Sequence, residues 1–168
     1  PHEGNQSVPN GMTSLFNGKN FDGWKVHPGS VGHWTVIDEV IDCDARSEAP
    51  TVNDKQLWTE KSYVDFELHV DWRIKELNGL YPMPTILPNG TYKKDDDGKV
   101  ITTPTPNADS GILLRGALKS QCNIWCWPVG SGEVYGYRMD KKMPAEVLAG
   151  VTPKLRADNP VGEWNRFI

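Results

Sequence analysis

The most regular alternation of apolar and polar residues runs from Tyr63 to Ile74. Its apolar positions alternate with ionisable ones: Phe66, Leu68, Val70 and Trp72 against Asp65, Glu67, His69, Asp71 and Arg73. Because successive side chains of a β-strand point to opposite faces, this pattern predicts a strand with one buried and one polar face. Residues two apart on the polar face lie about 7 Å from each other. Glu67 and His69 are therefore candidate acid and base groups, although a solvated sheet surface would give the same row.

A second alternation predicts an antiparallel hairpin made of the segments 109–116 and 121–127. In its second strand an apolar set faces away from a polar-aromatic set: Cys122, Ile124 and Cys126 against Gln121, Asn123, Trp125 and Trp127. Carboxylates, guanidinium groups, amides and indoles are the groups that hold a sugar ring by hydrogen bonding and stacking. Exposed large aromatic residues usually mark a binding surface. The alternative is an ordinary solvated sheet face.

Shorter patterns predict more β-structure and set the domain limits. Residues 1–10 have no apolar period and are predicted to be an N-terminal tail, and 11–168 a single domain, which the resemblance described below makes a β-sandwich. A hairpin is expected at 33–43, turning at Asp38-Glu39, and a short strand at Glu133–Arg138. Residues 78–108 contain five prolines and are predicted to be a long insertion loop.

The composition supports an all-β protein and excludes some partners. The 168 residues include 16 Gly, 13 Pro and 7 Trp, with few long helical patterns. A formal charge of −4 gives no basic field for nucleic acid, and no apolar run is long enough to span a membrane. The three cysteines show no metal-ligand spacing, and either free thiols or one disulfide would fit. The start at Pro1 suggests a processed N-terminus.

Five motifs occur in the order in which one known family has them. They are LFNGKNFDGW at 15–24, YVDFELHVDWR at 63–73, DSGILLRG at 109–116, GEVY at 132–135 and GEWN at 162–165. Together they resemble the bacterial 3-keto-disaccharide hydrolase family. The resemblance implies a concanavalin A-like lectin/glucanase fold, a jelly-roll sandwich of two antiparallel sheets, and a periplasmic or extracellular location. Members continue past the Trp-Asn motif, so we expect the sequence to be C-terminally incomplete.

The resemblance also implies a reaction on a small carbohydrate. A ketone at C3 acidifies the C2 hydrogen, so that a base can remove it and expel the C1 substituent; water then adds. The site needs a base, an acid and a group that stabilises the enolate. The catalytic candidates are Glu67, His69, Arg115 and Glu133. The substrate-binding candidates are Asp109, Gln121, Asn123, Trp125 and Tyr137.

The sequence departs from the family pattern at two of these positions. Members commonly have Asn where this chain has Asp109, and often Glu where it has Gln121, so Glu133 is expected to supply the missing carboxylate. A divalent metal ion held by Asp109, Glu67 and His69 could assist Arg115; whether there is one, and the oligomeric state, stay open. A non-catalytic lectin-like module is the alternative function. A retaining glucanase fits less well, because it needs two carboxylates about 5 Å apart.

Overall fold

The computed structural model describes residues 8–46, 48–51 and 53–168. Within these residues the chain is rich in strands and poor in helix, and every strand pairs antiparallel with one neighbour. The strands are β1 (Trp24–Lys25), β2 (Trp34–Ile37), β3 (Val40–Cys43), β4 (Trp58–Thr59), β5 (Val70–Trp72), β6 (Leu80–Pro84), β7 (Thr102–Pro106), β8 (Asp109–Leu113), β9 (Gln121–Trp125) and β10 (Asn165–Phe167). The α-helices are α1 (Tyr135–Arg138) and α2 (Ala145–Val151), and short 3₁₀ helices lie at Pro28–Ser30, Asn53–Lys55 and Leu118–Ser120. The β-rich character expected from the composition is confirmed.

The chain divides into two compact units, which we call the N-terminal unit (described residues 8–66) and the C-terminal unit (67–168). In the N-terminal unit, β2 and β3 form the hairpin predicted for 33–43. Asp38 and Glu39 turn the chain with φ values of +50° and +62°. Two successive positive φ values are the geometry that matches the twist of a two-residue hairpin.

In the C-terminal unit, β8 and β9 form the second predicted hairpin. Asp109 lies opposite Trp125, Gly111 opposite Asn123, and Leu113 opposite Gln121. Both strands end earlier than the alternation suggested, at Leu113 and Trp125. The hairpin carries the main apolar cluster of this unit, since Ile124, Trp125 and Trp127 are buried.

The segment predicted as an insertion loop forms a long hairpin instead. β6 and β7 pair over five residues each, and the bridges Ile86–Tyr92 and Lys94–Val100 close two shorter hairpins between them. The strand prolines are Pro82, Pro84, Pro104 and Pro106. All four have even numbers, whereas the ladder bonds Thr85 N–Ile101 O and Asn107 N–Gly79 O join odd-numbered residues. The prolines therefore occupy positions whose nitrogen faces away from the partner strand, where no hydrogen bond is lost.

The strand predicted from Tyr63 to Ile74 is observed only as β5, because the partner strand β10 is three residues long. Asp71 of β5 and Arg166 of β10 form a bidentate ion pair, with Nε–Oδ1 and Nη2–Oδ2 distances of 2.6 and 2.7 Å.

The prediction of a short strand at Glu133–Arg138 is wrong. Val134 bridges to Cys122, and the chain then turns into the helix α1. None of the helices in the described part of the chain is long and apolar enough to cross a membrane.

Candidate functional site

The β8–β9 hairpin holds two amide side chains in a fixed relation. Gln121 donates a hydrogen bond from Nε2 to Oδ1 of Asn123 at 2.7 Å. Gly111 makes room for it, because a Cβ atom there would lie 2.6 Å from Gln121 Nε2. Asn123 is 1% exposed, and its Nδ2 has no hydrogen-bond partner among the described residues. Gln121 is thus the more accessible of the two amides, and Asn123 lies in the interior.

Trp125 is a core residue. It is 2% exposed, its ring stacks on Trp127 with centroids 3.5 Å apart, and its Nε1 donates to Gly130 O at 2.6 Å. The prediction that Trp125 stacks on a sugar ring is wrong for this structure, because the ring has no open face. Alternation identified the two sides of β9 correctly, but Trp125 and Asn123 lie on the more buried side, while Cys122 and Cys126 are half-buried.

Glu133 is fully buried and belongs to an ion pair. Its Oε1 accepts a hydrogen bond from Nε of Arg138, whose side chain also reaches Gly90 O and Thr152 Oγ1. Burial raises the pKa of Glu133, and Arg138 opposes that rise. With no exposed surface, Glu133 cannot touch a substrate in this conformation, which contradicts its predicted catalytic role. Arg138, the last residue of α1, instead connects this helix to Thr152 at the end of α2 and to Gly90 in the turn between Ile86 and Tyr92.

Asp109 and Tyr135 are accessible groups beside the buried indoles. Asp109 is exposed and lies opposite Trp125 in the strand register. The ring of Tyr135 stands edge-on to Trp125, with centroids 5.9 Å apart and an interplanar angle of 89°. Partial desolvation raises the pKa of Asp109. Burial, and then the negative charge of Asp109, raise the pKa of Tyr135, with further contributions from Tyr92, Glu133 and Tyr81.

Glu67 and His69 form a separate acid–base pair. Nε2 of His69 lies 2.7 Å from Oε1 of Glu67, and the two side chains are 19% and 65% exposed. His69 Nδ1 is buried without a hydrogen-bond partner in the described part of the chain. The predicted separation of about 7 Å assumed an extended strand. Both residues precede β5, so their side chains are free to turn toward each other.

Arg115 and Tyr137 also belong to the C-terminal unit: Arg115 follows β8 and Tyr137 lies in α1. Arg115 is exposed and has a φ of +54°, two residues after β8 ends. β8 separates Asp109 from Leu113 by about 14 Å, so Arg115 follows the end of the strand opposite to Asp109. Tyr137 is exposed, and Nζ of Lys119 lies 4.9 Å from its ring centroid. The nine predicted site residues therefore do not converge in one groove.

The structure does not bring together the three predicted metal ligands, Asp109, Glu67 and His69. Within the described ranges, no three His, Cys, Asp or Glu side chains are grouped so that they could hold a metal ion. Asp109, Glu67 and His69 therefore do not form a common ligand set in this conformation.

The sequence interpretation missed two residues of the C-terminal unit, Tyr135 and Arg138. Tyr135 contacts Trp125, and the guanidinium of Arg138 lies 5.7 Å from the ring centroid of Tyr92. Tyr135 lies in the GEVY motif, which is the sequence signal that marks it as a candidate site residue. Arg138 gave no such signal, because a strand over Glu133–Arg138 would have put its side chain on the opposite face from Glu133.

These observations describe a β-rich protein in which an exposed carboxylate, Asp109, and a half-buried phenol, Tyr135, lie beside buried indoles, with the half-buried amide of Gln121 on the same hairpin as Asp109. The sequence model of the 3-keto-alpha-glucoside-1,2-lyase-like domain matches residues 11–168. The chain belongs to this family, which confirms the resemblance drawn from the five motifs. No curated protein and no solved structure matches the chain.

Proposed function

We propose that this protein is an enzyme that cleaves the glycosidic bond of a 3-keto-glycoside or a related sugar. The observation that carries the proposal is the family match, which extends over residues 11–168. The substrate class follows from the name of the family, a lyase-like domain for 3-keto-alpha-glucosides. The overall result is a hydrolysis, reached by elimination followed by addition of water.

The reaction needs few groups, because the substrate supplies much of the driving force. The C3 ketone stabilises the carbanion formed at C2 as an enolate, and expulsion of the C1 oxygen then leaves a C1–C2 double bond. A base at C2, a hydrogen-bond donor at the ketone oxygen and an acid at the leaving group complete the site. Asp109 and the Glu67–His69 pair are exposed or half-buried groups of the required types. Gln121 supplies an amide that can hold a hydroxyl.

The finer fold and the location are part of the same proposal. We infer a concanavalin A-like jelly-roll sandwich for 11–168 as a single domain, because the resemblance implies this fold and the named strands pair antiparallel. We also infer a periplasmic or extracellular protein, as the resemblance to the bacterial family implies.

A decisive experiment compares a 3-keto-α-glucoside with the same glycoside carrying a C3 hydroxyl. We expect release of the C1 substituent only from the ketone, with and without a chelator measured in parallel. In D₂O the released 3-keto sugar should carry deuterium at C2, because the solvent supplies the hydrogen that is added there. An incubation without protein corrects for spontaneous exchange. Failure to turn over any 3-keto-glycoside, or cleavage without deuterium at C2, would contradict the proposal.

A non-catalytic sugar-binding module is the second candidate. The observation that favours it is the burial of Asn123, Trp125 and Glu133, which leaves fewer accessible site residues than the family pattern suggested. Calorimetry with an intact 3-keto-glycoside separates the two functions. Saturable heat of binding with no product after prolonged incubation would identify a module, whereas product formation would identify the enzyme.

A further inference from the structure

The C-terminal unit has a rigid indole floor, which we define as Trp125 and Trp127. The two rings are nearly parallel, with an interplanar angle of 8°, and both are buried. Trp125 is fixed further by its hydrogen bond to Gly130 O. Because neither ring can turn without losing this packing, the groups attached around the floor keep a constant relation to each other.

Two polar side chains flank this floor from different elements. Asp109 comes from the first residue of β8 and lies opposite Trp125 in the register, and Tyr135 comes from the first residue of α1 and packs edge-on against the same ring. Asp109 is exposed and Tyr135 is half-buried, so both can be reached from solvent. The negative charge of Asp109 also disfavours ionisation of the Tyr135 phenol: burial is the main cause of the raised pKa of Tyr135, and the charge of Asp109 is the second.

We propose that Asp109 is the base that removes the C2 proton and that Tyr135 donates a hydrogen bond to the developing enolate oxygen at C3. This assignment rests on the proposed function. It gives Asp109 a catalytic role in place of the substrate-binding role expected from sequence, and it assigns a role to Tyr135, which the sequence interpretation left without one.

The step balances with these two groups and the substrate. An oxygen of Asp109 takes the C2 proton, and the electron pair of the C2–H bond moves into the C2–C3 bond while the C3 oxygen becomes an enolate. The enolate then reforms the ketone, a C1–C2 double bond forms, and the C1–O bond breaks. Asp109 returns its proton to the departing oxygen. Water finally adds its hydroxyl to C1 and its hydrogen to C2.

The environments of the two groups suit these roles. Desolvation raises the pKa of Asp109, and a carboxylate with a higher pKa is a stronger base. Burial and the charge of Asp109 keep the phenol of Tyr135 protonated, so that it donates a hydrogen bond rather than accepting a proton. Pairing a carboxylate base with a neutral phenol donor at an enolate oxygen is an established way to run such chemistry at neutral pH.

The kinetic test uses Asp109→Asn and Tyr135→Phe, with matched controls at exposed residues outside the β8–β9 hairpin and α1. Asp96→Asn removes a carboxylate from the turn between Lys94 and Val100, and Tyr63→Phe removes a phenol from the N-terminal unit. We expect Asp109→Asn to lower kcat by about a hundredfold or more with little change in KM. It should also remove the acidic limb of the pH profile of kcat/KM. Tyr135→Phe should lower kcat by about a hundredfold. The controls should stay close to wild type.

A second measurement tests the pair without turnover. A spectroscopic titration of tyrosinate should show a step in wild type that is absent in Tyr135→Phe and that moves to lower pH in Asp109→Asn, because the carboxylate charge has been removed. Wild-type turnover in Asp109→Asn, or a tyrosinate titration unchanged by that substitution, would overturn the assignment while the proposed function stands. Absence of turnover by the wild-type protein would instead overturn the proposed function, and the assignment with it.

Discussion

The carboxylate of Glu133 and the guanidinium of Arg138 form an ion pair in the interior of the C-terminal unit, where their side chains are 0% and 2% exposed. Arg138 also donates to Gly90 O and Thr152 Oγ1, and Thr152 Oγ1 donates in turn to Leu148 O at 2.7 Å. Glu133 Oε2 has no hydrogen-bond partner among the described residues. The pair therefore joins three segments of the chain, and one of its buried carboxylate oxygens accepts no hydrogen bond from the described residues.

Removing one partner of this pair should destabilise the C-terminal unit strongly. Glu133→Gln leaves the Arg138 charge buried without a counter-charge, which costs about 3–5 kcal/mol. Replacing both residues, as in Glu133→Leu with Arg138→Met, should cost less than the single substitutions together, because neither charge is then buried. Urea unfolding of the single and double variants measures both effects. A change of less than about 1 kcal/mol in Glu133→Gln would show that the pair is not buried in solution.

Gly111 is expected to be needed for the amide pair of β9. An added Cβ would lie 2.6 Å from Gln121 Nε2 and 2.7 Å from its Cγ, so Gln121 must move and its bond to Asn123 is lost. A buried Asn123 Oδ1 without a partner costs about 1–3 kcal/mol. Gly150→Ala is the matched control, because no atom lies within 4 Å of the added Cβ and alanine favours the helix α2. Gly111→Ala should lower the urea midpoint and Gly150→Ala should raise it; equal effects would contradict the prediction.

His33 should give the N-terminal unit a defined pH dependence. Its Nδ1 lies 2.9 Å from Asp44 and its Nε2 lies 2.8 Å from Glu48. Hydrogen bonds to Asp44 and Glu48 raise the pKa of His33 above 6.5, and the bonds to His33 lower the pKa values of Asp44 and Glu48 below 3.8 and 4.5.

The directions of these three pKa shifts define the pH range in which the N-terminal unit is most stable. The contribution of His33 is complete below pH 6.5 and is lost as the pH rises through its folded pKa. The contributions of Asp44 and Glu48 are present above 3.8 and 4.5 and are lost as the pH falls through their folded values. Stability should therefore be highest between about pH 4.5 and 6.5. Thermal unfolding against pH measures this, and His33→Gln should flatten the curve. A variant curve parallel to wild type would exclude His33 as the cause.

Local signals in the sequence were sufficient for two hairpins, β2–β3 and β8–β9, but not for the β6–β7 hairpin or for the site. The turn at Asp38-Glu39 and the pairing of β8 with β9 follow from turn chemistry and alternation, which act over a few residues. Alternation separates the two faces of β9 but does not say which is buried, and Trp125 suits either environment. The ion pair of Glu133 with Arg138 depends on a helix that replaces a strand, which is decided by tertiary packing.

The alternate spacing of prolines in the β6–β7 hairpin supports a position-specific prediction. Thr103 is an odd-numbered residue paired with Met83, and Thr102 is an even-numbered residue paired with Pro84. The odd-numbered residues make the ladder hydrogen bonds, so Thr103→Pro removes one while Thr102→Pro removes none. We expect Thr103→Pro to be less stable than Thr102→Pro by about 1–3 kcal/mol. Amide hydrogen exchange of the hairpin, measured in both variants, should show faster exchange at Tyr81 and Thr105 only in Thr103→Pro. Equal protection in the two variants would mean that the prolines do not mark the outward-facing positions of the ladder.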